Sequence, residues 1–285
     1  MDINLAIAER ARAGAALTAA ELDELGATDL LSLGMLADEV RRARVGDSVT
    51  YARVFEVSGA SGASAASGAS GAEVRLTTLA DTLAATEALI REARATAGTG
   101  LLTGFSLADI SHHESWGELK VVLSRLKAAG LDAIAEAPID LLPDAEQALA
   151  ACETAQLPVR CLSLQRPVDD GRTLWLMHVR SLMQRFPSIF AVAPLPREQS
   201  IAVPTTGYGD VRAVALARLA LGGVRNIQVD WTQYGPKLAQ VALTFGANDF
   251  DRVSTVDDPS LGNRRTSLED VKRNITAAGF TPVER

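Results

Sequence analysis

Strand-like and helix-like segments alternate along most of this sequence. They predict an α/β fold: a parallel sheet, closed or nearly closed, with its helices outside. Short apolar runs are each followed by a stretch with helical spacing of Ala and Leu. The units have β–α length and repeat along the chain. A chain of 285 residues, 47% of them apolar, is sized for the core of one barrel.

The first 48 residues read as helices packed on the barrel. Thr18 and Glu21 have capping-box spacing before a short helix. Asp29 can cap a second helix, with Leu30, Leu33, Leu36, Ala37 and Val40 on one face. The basic run Arg41-Arg42-Ala43-Arg44 suits its C-terminus. Gly46-Asp47 turns the chain into a strand, Val49–Val57, which opens a barrel domain spanning 49–285. Ser58–Ala72 is a Ser/Gly/Ala repeat. Without large side chains it cannot offset its ordering entropy, so it reads as a flexible interruption.

Further strands are expected at 74–76, 101–106, 131–135, 159–164, 189–194 and 227–231. Helices are expected at 79–95, 114–129, 143–155, 174–185, 209–221, 237–245 and 268–278.

The formal net charge is -7 and there is no long Lys/Arg cluster, which argues against nucleic acid. No apolar run is long enough to span a bilayer. The N-terminus lacks the basic and apolar regions of a signal peptide, so the expected location is the cytoplasm. Two cysteines, Cys152 and Cys161, cannot form a disulfide framework and read as buried and inert. His112-His113-Glu114 places neighbouring side chains in different directions, a poor metal site. There is no phosphate-loop motif and no G-x-S-x-G nucleophile turn.

Several segments resemble one family. They are Asp29–Arg42, Leu123–Asp132, Pro204–Tyr208, Val214–Leu219, Trp231–Gln240, Phe245–Phe250 and Ala277–Arg285. Their order and spacing resemble the radical SAM enzymes of the futalosine route to menaquinone, dehypoxanthine futalosine cyclase above all and aminofutalosine synthase next. The resemblance implies a TIM-like radical SAM barrel. It also implies a [4Fe–4S] cluster and S-adenosylmethionine, held by a CxxxCxxC loop after the first strand.

That loop is absent. The strand ending at Val57 runs into the Ser/Gly/Ala repeat, and the first cysteine in the chain is Cys152. Thiolates are required for such a cluster. The repeat also stands where the family has its first outer helix, so the barrel is expected to be incomplete. Ala135–Ile139 replaces a glycine-rich turn, Gln165–Asp169 replaces a Gly-His-Val-Glu turn, and Asp251-Arg252 replaces a small residue.

The expectation is therefore a cluster-less barrel with no bound cofactor and no catalytic residues of the family reaction. It would act as a non-catalytic partner or regulator of an active radical SAM relative in menaquinone biosynthesis. The alternative is a SAM-independent enzyme or small-molecule binder using the barrel mouth. Candidate ligand-binding residues near the C-terminal strand ends are Asp109, Glu136, Gln165, Asp230 and Gln233, with Glu56 and Arg166 nearby. Asp109 stands first because it follows the 101–106 strand, where the family has an acidic residue.

Overall fold

The computed structural model describes residues 3–59, 72–168, 171–198, 206–224, 226–255 and 268–285. Most of the Ser58–Ala72 repeat lies outside these residues, as do Asp169, Pro204 and Thr205 of the segments above.

Three helices precede the first strand: α1 (Leu5–Arg12), α2 (Ala19–Gly26) and α3 (Leu30–Val45). The predicted capping box forms. Glu21 N–H donates to Thr18 Oγ1 at 3.3 Å, and Thr18 N–H donates to Glu21 Oε2 at 2.7 Å. Asp29 caps α3 by accepting from Ser32 N–H at 2.9 Å.

The barrel follows as β1 (Ser48–Val57), β2 (Glu73–Leu76), α4 (Leu83–Ala97), β3 (Leu102–Ser106), α5 (Leu107–His112), α6 (Leu119–Ala129), β4 (Ala133–Pro138), α7 (Ala145–Thr154), β5 (Cys161–Leu164), α8 (Arg172–Arg185), β6 (Ala191–Pro196), α9 (Gly207–Ala220), β7 (Asn226–Asp230), α10 (Trp231–Leu243), β8 (Asp249–Ser254), α11 (Leu268–Ala277) and β9 (Thr281–Glu284). The N-terminal helices dock on α9, where Arg212 Nη1 donates to the carbonyls of Gly26 (2.8 Å) and Thr28 (2.9 Å).

The sheet runs β2-β3-β4-β5-β6-β7-β8-β1 and returns to β2, with every pairing parallel. The barrel is closed, so the expectation of an incomplete one is corrected. Closure is local: Val54–Val57 of β1 pair with Glu73–Leu76 of β2. The lower half of the same β1 edge, Ser48–Tyr51, takes β9. A second partner from the far end of the chain thus completes the strand.

Several segments differ from their sequence reading, and helix α5 and strand β9 form where no element was expected. The expected 114–129 helix is broken. A 3-10 turn at Glu114–Trp116 ends at Gly117 (φ 99°) before α6 begins. The helix expected from 237 begins at Trp231, directly after β7. It kinks at Gly235 (φ 75°), whose left-handed backbone lets Pro236 restart the helix. The charged segment of β8 is a barrel strand.

Apolar strand residues such as Leu102, Ile134, Leu162, Val192 and Ile227 are buried in the main core with the helices. The barrel interior is different. Arg75 Nη1 reaches Asp251 Oδ2 at 2.7 Å and Arg75 Nη2 reaches Glu73 Oε1 at 2.6 Å. Glu73 also accepts from Thr103 Oγ1 at 2.6 Å, and Gln228 Nε2 donates to Asp249 Oδ2 at 2.7 Å. Cys161, Ala191 and Ala193 form a small separate apolar cluster against Phe190.

Candidate functional site at the barrel mouth

A cavity of about 170 Å³ opens among the C-terminal strand ends, where (β/α) barrels place their chemistry. Glu56, Arg75, Phe105, Ser106, Asp109, Glu136, Arg197 and Arg252 contribute to its wall. Two of these hold unusual backbone. Phe105 has φ 62° and Arg252 φ 56°, the left-handed region that non-glycine residues rarely adopt. At Arg252 the pairing of β8 with β1 shifts between Tyr51 and Arg53, a bulge that re-aims a side chain.

The re-aimed guanidinium enters an ion-pair chain. Arg252 Nε lies 2.7 Å from Glu56 Oε1, and its Nη1 lies 3.3 Å from Asp230 Oδ2. Arg197 Nη1 reaches the same Asp230 oxygen at 3.3 Å, while its Nε donates to Glu136 Oε2 at 2.8 Å. The sequence Glu56–Arg252–Asp230–Arg197–Glu136 thus spans the mouth. Burial pushes the Glu136 carboxyl up, but the charge and hydrogen bond of Arg197 outweigh it and hold the group below its usual value. At the fully buried Asp230 the balance reverses, and burial wins over Arg197 and Arg252.

Asp109 sits in the first turn of α5 at the exposed rim and accepts no hydrogen bond among the described residues. Desolvation, then the neighbouring Glu136 carboxylate, raise its pKa, and His112 and His113 partly oppose this. Ser106, which pairs in register with Glu136, has a buried hydroxyl with no partner.

Of the residues expected from the sequence, Asp109, Glu136 and Glu56 line the cavity. Asp230 lies beneath Arg197 and Arg252, bound to both. Gln165 and Gln233 do not line it. Gln165 Nε2 donates to Glu198 Oε1 at 3.0 Å, and Gln233 Nε2 donates to the carbonyls of Pro196 and Arg197 at 3.0 and 2.8 Å. Both brace strand-end loops beside the cavity. The backbone N–H of Arg166 donates to Asp140 Oδ2 at 3.0 Å in the same bracing.

Sequence reading missed Arg75 and Arg197 as mouth residues. The alternation Glu73-Val74-Arg75-Leu76 carries a signal for the first: charge at every second position of a strand buried on both faces. For Arg197 there is none, because its position after Pro196 reads as loop polarity.

The [4Fe–4S] cluster implied by the resemblance does not fit these residues. Cys161 begins β5, at the opposite end of the barrel from the mouth, and Cys152 lies on the outer helix α7. Burial pushes both thiols up to about 12, far from the thiolate form that ligates iron. No sulfur lines the mouth cavity. Among the described residues no group of three or more His, Cys, Asp or Glu is placed to hold a metal ion. None of the described helices is long and apolar enough to cross a membrane.

Residues 191–285 match the family described as the CofH/MqnC C-terminal region. A 198-residue stretch is 28% identical to 5-amino-6-(D-ribitylamino)uracil–L-tyrosine 4-hydroxyphenyl transferase 2 of Methanosarcina barkeri, covering 57% of this chain and 51% of that protein. The Methanopyrus kandleri transferase of the same name is 28% identical over 202 residues, 59% of this chain and 54% of its own length. The chain thus spans about half the length of these curated relatives. These relatives are uracil–tyrosine transferases by name, and the family model spans CofH and MqnC proteins alike, so the expected kinship holds at that level.

Among solved structures, methylornithine synthase superposes with a TM-score of 0.71 at 14% identity, covering 97% of both chains. The [FeFe]-hydrogenase maturase HydG superposes with a TM-score of 0.70 at 12% identity, covering 98% of this chain and 74% of that one. At such identities the likeness is one of fold. The match over residues 191–285, the curated relatives and this fold together support kinship with CofH/MqnC-like radical SAM proteins.

Proposed function

We propose that this chain is a cluster-free radical-SAM-like barrel that works as a non-catalytic partner or regulator of an active CofH/MqnC-like enzyme. The observation that carries the reading is the position of its thiols. Both cysteines of the sequence are buried, one at the floor end of β5 and one on an outer helix, so neither can offer a thiolate to the mouth. The mouth of the barrel is instead bridged by Glu56, Arg252, Asp230, Arg197 and Glu136.

The partner is expected to be an intact radical SAM relative, and the menaquinone setting rests on the sequence resemblance to futalosine enzymes. Two experiments test the reading. Anaerobic reconstitution with iron and sulfide should leave the protein without the brown chromophore of a [4Fe–4S] cluster. Affinity purification from the native host should recover a cysteine-bearing relative, and deletion should lower menaquinone. A stable reconstituted cluster with S-adenosylmethionine cleavage would overturn it.

A second reading is favoured by one specific observation. The mouth cavity keeps an acceptor, Asp109, and a buried hydroxyl, Ser106, without a hydrogen-bond partner among the described residues. On this reading the mouth binds a small molecule without S-adenosylmethionine.

A further inference from the structure

Four carboxylates at the mouth, Glu56, Asp109, Glu136 and Asp230, face two guanidiniums, Arg197 and Arg252. The third arginine of the cavity, Arg75, is engaged below by Glu73 and Asp251. The surplus negative charge is not spread evenly. It collects on the β3–β4 side, where Asp109 has no Arg or Lys ion pair among the described residues and Glu136 shares only Oε2 with Arg197.

We infer that this side of the mouth is a recognition site for the ammonium group of a small primary amine. The inference rests on the small-molecule reading. An ammonium carries three N–H donors and needs three acceptors. Three line this cavity without a hydrogen-bond donor among the described residues: the Asp109 carboxylate, the Oε1 of Glu136 and the buried Ser106 hydroxyl.

Ser106 and Glu136 are register neighbours on adjacent parallel strands, and Asp109 follows Ser106 by one helical turn. One small group can therefore reach all three. Leu76, Phe105 and Ala135 give the wall an apolar strip that a short hydrocarbon body can cover, beside Thr77 and the paired arginines. An anionic ligand is disfavoured, because both mouth arginines are already bound to carboxylates. A bare metal ion is disfavoured because the acids are not grouped as metal ligands among the described residues.

The test is calorimetric titration of the whole chain at neutral pH with propylamine and benzylamine, against 1-propanol and benzyl alcohol of matched shape. The amines should bind and the alcohols should not. Asp109→Asn should weaken amine binding about tenfold, the loss of one charge-assisted hydrogen bond. Ser106→Ala should weaken it by a smaller factor. The Asn variant makes no new demand on folding, since Asp109 holds no hydrogen-bond partner among the described residues, and an unchanged melting curve confirms that it is intact.

Equal binding of amines and alcohols, or undiminished binding to Asp109→Asn, overturns the inference. A parallel panel of nucleosides, small carboxylates and S-adenosylmethionine separates the two levels. Binding there with none by amines sinks the ammonium site alone, while silence in both panels sinks the small-molecule reading as well.

Discussion

Arg285 closes the floor of the barrel on Asp249, its Nε 2.8 Å from Oδ1 and its Nη2 3.0 Å from Oδ2. The pair is bidentate, and Asp249 is fully buried. Asp251 Oδ1 lies 3.5 Å from the same guanidinium, whose face lies 4.7 Å from the Phe190 ring centroid. The side chain that follows β9 thus anchors that strand to the interior of the ring it joins.

Removing one partner of such a pair leaves the other buried and uncompensated. Arg285→Ala should therefore destabilise the protein by about 3–5 kcal/mol. The midpoint of urea unfolding should fall with little change in slope. A shift below about 0.5 kcal/mol, the range of ordinary surface substitutions, would show that the floor pairing contributes nothing.

The interior carboxylates also set the acid limit of stability. Burial alone would raise the Asp251 pKa, but Arg75 by charge and hydrogen bonds, then Arg285 and Arg197, hold it well below the usual carboxylate range. A depressed folded value contributes stability above the unfolded value of about 4, and that contribution is lost as pH falls below it. The melting temperature of the wild type should drop steeply on acidification below about pH 4. Its advantage over Asp251→Asn should shrink over the same range. A gap between the two that is constant with pH would remove Asp251 from this role.

The thiols give a third expectation. Both Cys152 and Cys161 are at most 2% exposed, with pKa values pushed to about 12 by burial. Neither should react with a thiol-specific disulfide reagent in the native protein at mildly alkaline pH, and both should react in guanidinium chloride. Rapid native-state labelling of either would contradict their burial, and with it the thiol argument for a cluster-free barrel.

Gly34 tests the docking of α3. In a helix interior Ala is preferred to Gly by about 1 kcal/mol. Here a Cβ would lie 2.6 to 2.9 Å from three atoms of the buried Phe245 ring. The clash outweighs propensity because the ring is held in a packed core, where overpacking costs typically about 1–3 kcal/mol. Gly34→Ala should lower the melting temperature. A more stable Gly34→Ala protein would mean that α3 is loosely seated.

Much of the fold could be read along the chain because local and tertiary demands agree there. Thr18 and Glu21 cap each other as their spacing requires, and most apolar runs became strands within a few residues of the expected place. Strand β8 was illegible for a physical reason. Asp249, Asp251 and Arg252 suit a strand poorly, and they are tolerated only because Arg285, Arg75 and Glu56 meet them from distant parts of the chain. The pairing of β9 was illegible too: β1 divides one edge between β2 and β9, and no local pattern announces a partner more than two hundred positions away. At the mouth, Glu136 and Asp109 could be placed from strand ends alone. Arg197 could not, since nothing near it in sequence foretells Asp230 or Glu136.

The charged interior has a thermal consequence. Unfolding ordinarily raises the heat capacity by about 12–15 cal/mol/K per residue, because hydration of apolar surface adds to it and hydration of polar surface subtracts. In this barrel the ring of strands encloses Glu73, Arg75, Gln228, Asp249 and Asp251 where side-chain layers of Val, Ile and Leu are usual. The subtracting contribution is accordingly larger than in a ring filled with hydrocarbon. Its dependence of stability on temperature is flatter, with the folded state losing less on cooling than an apolar-cored barrel of equal size.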